Sequence, residues 1–147
     1  MRKLTSQEII SSLSLEEKAI LLQGKTTWET YAVKHAGIIM FSYNMVNGRY
    51  ANEDAHLLDD ILRKEWGFDG FVVTDWGGDN DHTEGVRAGS NLTMPAPGMD
   101  CATGLVESVR SGKLKEEVLD ERLGELLRVV LDTNAAVKKA VAGTPDS

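Results

Sequence analysis

The sequence predicts an α/β protein with parallel strands, and three observations carry that expectation. The apolar runs opening "IIMFSYN" at Ile38 and forming Phe71-Val72-Val73, with a third in "NLTMPAP", have the length of buried strands and are bounded by glycine or proline. Helical patterns lie between and after them, so the order from Ile38 onward is strand, helix, strand, helix, strand, helix. Alternating units of this length imply parallel strands with right-handed crossovers. The 147 residues are 41% hydrophobic and 27% charged, the balance of one ordinary globular domain with a real core.

Residues 1–31 form the predicted N-terminal helical segment. Thr5-x-x-Glu8 and Ser14-x-x-Glu17 match the capping-box pattern, in which side chain and backbone satisfy each other's open groups. Ile9, Ile10 and Leu13, then Ala19, Ile20 and Leu22, follow at helical spacing up to Gly24. Residues 32–118 hold the βα units. "KTTWETYAVKHAG" is helical in its second half and closes at Gly37, ahead of the first strand. Asn52 can cap a helix whose Leu58, Ile61, Leu62 and Trp66 share a face and whose stop is Gly67. "DHTEGVRAG" is a short helix or turn, and "CATGLVESVRSGKL" is another helix. Residues 119–142 are the longest helix, burying Leu119, Leu123, Leu126, Leu127, Val130 and Leu131, and 143–147 are a tail.

Charge and composition exclude several function classes. A net charge of -7, with acids interspersed among bases, argues against nucleic acid or an anionic membrane as partner. No segment approaches the roughly 18 consecutive apolar residues of a membrane span. The N-terminus lacks the apolar run of a signal peptide, so a cytoplasmic location is the default. Cys101 is the single cysteine, which excludes an intramolecular disulfide and speaks against a thiolate metal site. The sequon at Asn91-Leu92-Thr93 carries little weight without a secretory signal.

The chemistry gathers at the strand ends. All three strands turn polar there, at Ser42-Tyr43-Asn44, at Asp75-Trp76 and at Met94-Pro95, and in parallel α/β proteins that edge builds active sites. An indole beside a carboxylate suits a sugar, whose apolar ring face stacks while its hydroxyls bond. The plainer role for Asp75 is to cap the next helix or to take the amides of Gly77 and Gly78. Asp79, Asp81 and Glu84 lack calcium-loop spacing and read as a solvated polar loop. His35, His56 and His82 are isolated and read as surface residues. Ser42 has no Gly-x-Ser-x-Gly elbow, and Gly77-Gly78 lacks the lysine of a phosphate loop. Met40, Met45 and Met94 fit core packing better than ligation, with Met40 kept beside Tyr43 and Trp76 as a substrate-contact candidate. No metal or cofactor is expected.

The run "MFSYNMVNGRYANEDAHLLDDILRKEWGFDGFVVTDWGG" closely resembles the catalytic-domain segment of glycoside hydrolase family 3, the β-glucosidase family. That family shows a Ser-Tyr-Asn strand, an Asn-Gly turn, a helix ending Leu-Arg-x-Glu-Trp-Gly-Phe-x-Gly and a Ser/Thr-Asp-Trp strand in this order. "AGSNLTMP", "VRSGKLKEEVLDERLGELLRVVLD" and "LSLEEKAILLQGKTTWET" resemble its next strand, its helical close and its N-terminal helix, so the likeness covers nearly the whole chain. The resemblance implies a partial TIM-type (β/α) barrel of about three βα units, because a full barrel takes about 250 residues. It implies Asp75 as the nucleophile of a retaining mechanism, Tyr43 near the bound sugar and Trp76 as a pocket wall. Retention also needs a second carboxyl group about 5 Å away.

The chain departs from the family's pattern in three places. The family's Asp-Gly-Pro segment, whose Asp grips sugar hydroxyls, is absent, and so is its sugar-binding Lys-His segment. Lys34-His35 sits where the family has the end of a helix. The domain that supplies the acid/base in many members is not matched either. The sequence therefore resembles an internally shortened and C-terminally truncated β-glucosidase domain, weak or inactive alone on β-linked glucosides. The alternatives are a glycosidase completed by oligomerisation or a partner chain, and a non-catalytic module for sugar binding or assembly. Open sheet edges and an uncovered inner face predict a homodimer or larger oligomer with an apolar interface above about 1,500 Å².

Overall fold

The computed structural model describes residues 6–21, 37–95 and 100–142. The segment 25–36 (expected to be helical in its second half and holding Lys34-His35), the Thr5 cap and the tail at 143–147 lie outside the described residues. Helix α1 spans Ser6–Ser12 and α2 spans Leu15–Leu21. The second capping box is formed in full: Ser14 N–H donates to Glu17 Oε2 at 2.8 Å, and Glu17 N–H to Ser14 Oγ at 3.3 Å.

Strands β1 (Ile38–Phe41) and β4 (Phe71–Thr74) are parallel neighbours. Between them, β2 (Met45–Val46) and β3 (Arg49–Tyr50) make a hairpin across Asn47-Gly48. Both turn residues have positive φ, 51° and 82°, the geometry that matches strand twist and that glycine tolerates freely. The third expected strand contracts to one parallel bridge, Val73↔Leu92, so β4 is central between β1 and Leu92. Around this sheet lie α3 (His82–Ala88), α4 (Asp100–Arg110) and α5 (Glu116–Ala142). The fold is mixed α/β with few strands.

The segment expected to be capped by Asn52 is built differently. Asn52 sits in a 3-10 turn, Ala51–Glu53, and is 0% exposed. Helix His56–Glu65 winds with π spacing, as in the bond from Trp66 N–H to Ile61 O, and Asp54 Oδ1 takes the His56 amide at 2.9 Å. Leu58 and Leu62 are buried as expected, whereas Trp66 at the helix end is 70% exposed.

Successive β4 side chains point to opposite faces, and both faces are covered. Val72 packs with Leu58, Leu62 and Ala88, while Phe71 and Val73 join Ile10, Val86, Leu105, Leu119 and Leu123. The expectation that helices could not cover the second face is thus wrong for β4, because α1, α3, α4 and α5 all contribute to one cluster there. Buried charges fix the layers. Arg63 of the π-wound helix pairs with Glu125 of α5 at 2.9 Å, both side chains 9% exposed. Loss of water pushes the Glu125 carboxyl up and the Arg63 guanidinium down from their ordinary values.

Asn91 joins the same group. Its Oδ1 accepts from Val72 N–H at 2.8 Å and Arg63 Nη2 at 3.1 Å. Its Nδ2 donates to Arg122 O and Glu125 Oε2, both at 2.7 Å. The sequon asparagine is therefore a buried structural residue, with its amide nitrogen already bonded.

Candidate active site

The parallel register aligns Phe41 with Thr74, so both strands release their chains at the same edge. Asp75 N–H donates to Phe41 O at 3.0 Å, extending the ladder one step past the strands. Ser42, Tyr43 and Asn44 thereby emerge beside Asp75 and Trp76. Asp75 is half-buried, while Tyr43 and Trp76 are 58% and 53% exposed. Two exposed aromatic side chains and a carboxylate at one sheet edge can stack on a ring and accept from its hydroxyls.

The Asp75 carboxylate accepts from Trp76 N–H at 2.7 Å. Capping of the next helix falls to Asp81, whose Oδ1 takes the amides of Thr83 and Glu84 at 3.0 and 3.2 Å. The Gly78 amide bonds to the backbone carbonyl of Asp75 at 2.9 Å. Glu53, unremarked in the sequence, anchors the loop after Asp75 by accepting from the Asn80 and Asp81 amides at 2.8 and 2.7 Å.

Met40 and Met45 are 64% and 55% exposed, which corrects their assignment to the core. Met40 lies on the outer strand next to Val73, on the face shared with Ile38, past the helices that cover Val73. Met94 is half-buried against the core, as expected of a packing methionine. His56 is exposed and meets Asp60 at 3.3 Å.

Asp79 and His82 are not the solvated loop and surface histidine that spacing implied. Their side chains are 6% and 9% exposed, with Asp79 Oδ2 2.7 Å from His82 Nδ1. The Thr93 hydroxyl donates to the same oxygen at 2.6 Å. The bridge at Leu92 draws Thr93 over the loop, a pairing that local spacing cannot reveal. The one available signal was the three-residue separation of Asp79 and His82 across a helix start.

A cavity of about 250 Å³ opens beside these groups, lined among others by Gly77, Asp79, His82, Met94 and Cys101. Burial, with the charges of Asp79 and Asp100, pushes the Cys101 thiol up from its ordinary value. Among the described residues, no group of three or more His, Cys, Asp or Glu side chains is arranged to hold a metal ion. Among them also, no helix is long and apolar enough to cross a membrane.

Comparison with known proteins points in one direction. Residues 27–129 match the family model described as the glycosyl hydrolase family 3 N terminal domain. A thermostable beta-glucosidase B of Acetivibrio thermocellus is 43% identical over 101 residues, covering 67% of this chain and 13% of that protein. A beta-glucosidase of Rhizobium radiobacter is 43% identical over 111 residues, covering 74% and 13%. Among solved structures, beta-glucosidase 3B from Thermotoga neapolitana superposes with a TM-score of 0.62 at 38% identity, over 64% of this chain and 14% of that one. The Bifidobacterium adolescentis GH3 beta-glucosidase gives 0.63 at 37%, over 67% and 14%. The chain thus spans about 13% of the length of the curated relatives it matches.

Proposed function

The chain belongs to the glycosyl hydrolase family 3 N-terminal domain family, and from that premise we propose that it carries the nucleophile strand of a retaining β-glucosidase on a partial (β/α) barrel. The observation that carries this reading is the strand-end pairing: Asp75 is hydrogen-bonded to the end of β1, which brings Trp76 and Tyr43 to the same edge. In this mechanism the Asp75 carboxylate attacks the anomeric carbon and the glycosidic bond breaks. The leaving oxygen takes a proton from a general acid, and a glycosyl ester forms on Asp75. Water then attacks the same carbon and loses a proton to a base while the ester bond breaks to return the Asp75 carboxylate, and the original configuration is restored. Tyr43, Trp76 and Met40 form the exposed surface on which the sugar rests.

The matched carboxylate is one part of a constellation. The Asp-Gly-Pro and Lys-His segments that clamp the sugar in relatives are not among these 147 residues, and catalysis depends on positioned partners. Hydrolysis of aryl β-glucosides by the chain alone is therefore expected at background and equal to that of Asp75→Asn. A clear burst of aglycone, with retained configuration and dependence on Asp75, would overturn the inactive reading.

One observation favours a second reading, in which copies of the chain complete the site as a homodimer or larger assembly. Met40, Tyr43, Met45 and Val46 are exposed apolar groups along and just after β1, which among the described residues pairs only with β4. Light scattering that returns a monomer mass at micromolar concentration would remove this reading.

A further inference from the structure

The segments that leave the two strands are joined into a closed circuit around the candidate site. Asp75 N–H donates to Phe41 O at 3.0 Å where the strands end. The first segment runs on through Ser42, Tyr43 and Asn44, and Ala51 N–H returns to Asn44 O at 3.0 Å, closing the base of the β2–β3 hairpin. Glu53 follows in the turn Ala51–Glu53, held there by the buried Ala51 and Asn52. The second segment turns at Gly77, with a φ of 68°, where Gly78 N–H donates to Asp75 O at 2.9 Å. It ends at Asn80 and Asp81, whose amides both donate to Glu53 Oε1, at 2.8 and 2.7 Å.

The other links in this circuit run backbone to backbone, whereas the link at Glu53 is made by a side chain. Substitution of one residue can therefore open the circuit there. A carboxylate that takes two amides makes charge-assisted bonds, roughly twice as strong as neutral ones. Its partners lie 27 and 28 residues on, beyond the π-wound helix and β4, so it ties the two segments together rather than stiffening one turn. Helix α3 does not need it as a cap, because Asp81 takes the Thr83 and Glu84 amides with its own side chain. The Asp75 carboxylate accepts from Trp76 N–H at 2.7 Å, so its direction follows the backbone of the loop that Glu53 holds.

We propose that Glu53 is a positioning residue for the candidate active site: by closing the circuit it fixes the Asp75 carboxylate and Trp76 relative to Tyr43. It acts through the loop backbone. The closing of the circuit stands on the bonds above. Its consequence for sugar chemistry rests on the reading of Asp75 given under the proposed function.

Amide hydrogen exchange resolved by residue reads the circuit without any ligand. Glu53→Ala is expected to speed exchange at Asp75 roughly tenfold, although that amide bonds to Phe41 and not to Glu53. Val72, whose amide is bonded to the buried Asn91, should keep its wild-type rate. Glu53→Gln retains a carbonyl acceptor of the same reach and is expected to restore slow exchange at Asp75. Should alanine leave the chain unfolded, Glu53→Asp draws the acceptor back by one methylene and carries the same expectation as alanine. The second readout is addition of a fluoroglucosyl group to Asp75 from a dinitrophenyl 2-fluoro-β-glucoside. Its maximal rate should fall roughly tenfold or more in Glu53→Ala and stay near wild type in Glu53→Gln. Three results would overturn the proposal: an Asp75 amide unmoved by Glu53→Ala, equal acceleration at Asp75 and Val72, or measurable addition at one rate in all three proteins. No addition to the unmodified chain would instead remove the nucleophile reading, and the exchange rates would then decide the role of Glu53.

Discussion

The amide of Asp75 donates to the carbonyl of Phe41 at 3.0 Å. This bond continues the parallel ladder one residue past the strands. It fixes the carboxylate relative to the segment that carries Tyr43 and Trp76 relative to the end of β1. The geometry of the candidate site is therefore a property of how closely β1 and β4 approach.

That approach is set at the other end by Gly70, and Gly70→Ala tests it. The amide of Phe71 donates to Gly37 O at 2.9 Å, and a Cβ on Gly70 would stand 2.2 Å from that same oxygen. Both are backbone positions, so the strands would have to part. A loss of about 3 kcal/mol is expected, at the upper end of overpacking costs. Urea denaturation measures it, and an unchanged midpoint would mean that the close approach is not needed.

Asn91→Ala tests what holds the third segment. Its side chain accepts from Val72 N–H and Arg63 and donates to Arg122 O and Glu125, all with the residue fully buried. Alanine leaves several of these groups unpaired in a low-dielectric interior, and about 3 kcal/mol of stability should be lost. Thermal melts of the two proteins give the difference. A loss no larger than that of an exposed-site substitution would contradict the network's role.

Lys18 predicts a pH dependence. Its burial works against the charge, but the carboxylates of Asp120, paired with it at 2.7 Å, and Glu116, hydrogen-bonded at 3.0 Å, outweigh this and hold its pKa above the ordinary lysine value. A base raised in the folded state contributes stability that is fully present below its unfolded value and is lost as pH rises through the folded one. Lys18→Met should therefore cost about 1–2 kcal/mol at neutral pH, between the limits for exposed and buried pairs. The gap between the two melting curves should close above pH 10.5. A gap that stays constant with pH would assign the loss to packing of the lysine stem.

The parts of the fold that were legible in sequence are those that local chemistry decides. Ser14 and Glu17 cap each other because the box is closed within four residues. The apolar run at Phe71 becomes β4, and the alternation of strands and helices gives its parallel pairing with β1. The illegible parts depend on distant partners. Asp79 and His82 read as a polar loop until Thr93 folds over them from 11 to 14 residues away. Asn91 shows in sequence only as part of a sequon of little weight, and its buried bonding role appears when α5 arrives 31 residues later. Met40 and Met45 read as core because composition does not say which strand is outermost. The Leu58 and Leu62 spacing fits α and π winding alike, since residues four apart share a face in both.

The central claim is that Asp75 occupies the nucleophile position of a retaining glycosidase, and trapping tests it most directly. A dinitrophenyl β-glucoside with fluorine at the second sugar carbon has a leaving group that departs without a general acid. The first step then asks for the nucleophile alone, while the fluorine and the lack of a positioned base slow release of the glycosyl ester. Intact mass spectrometry followed by peptide mapping is expected to show slow addition of one fluoroglucosyl group, located on Asp75 and absent in Asp75→Asn. No addition, or addition at another residue that persists in Asp75→Asn, would contradict the account.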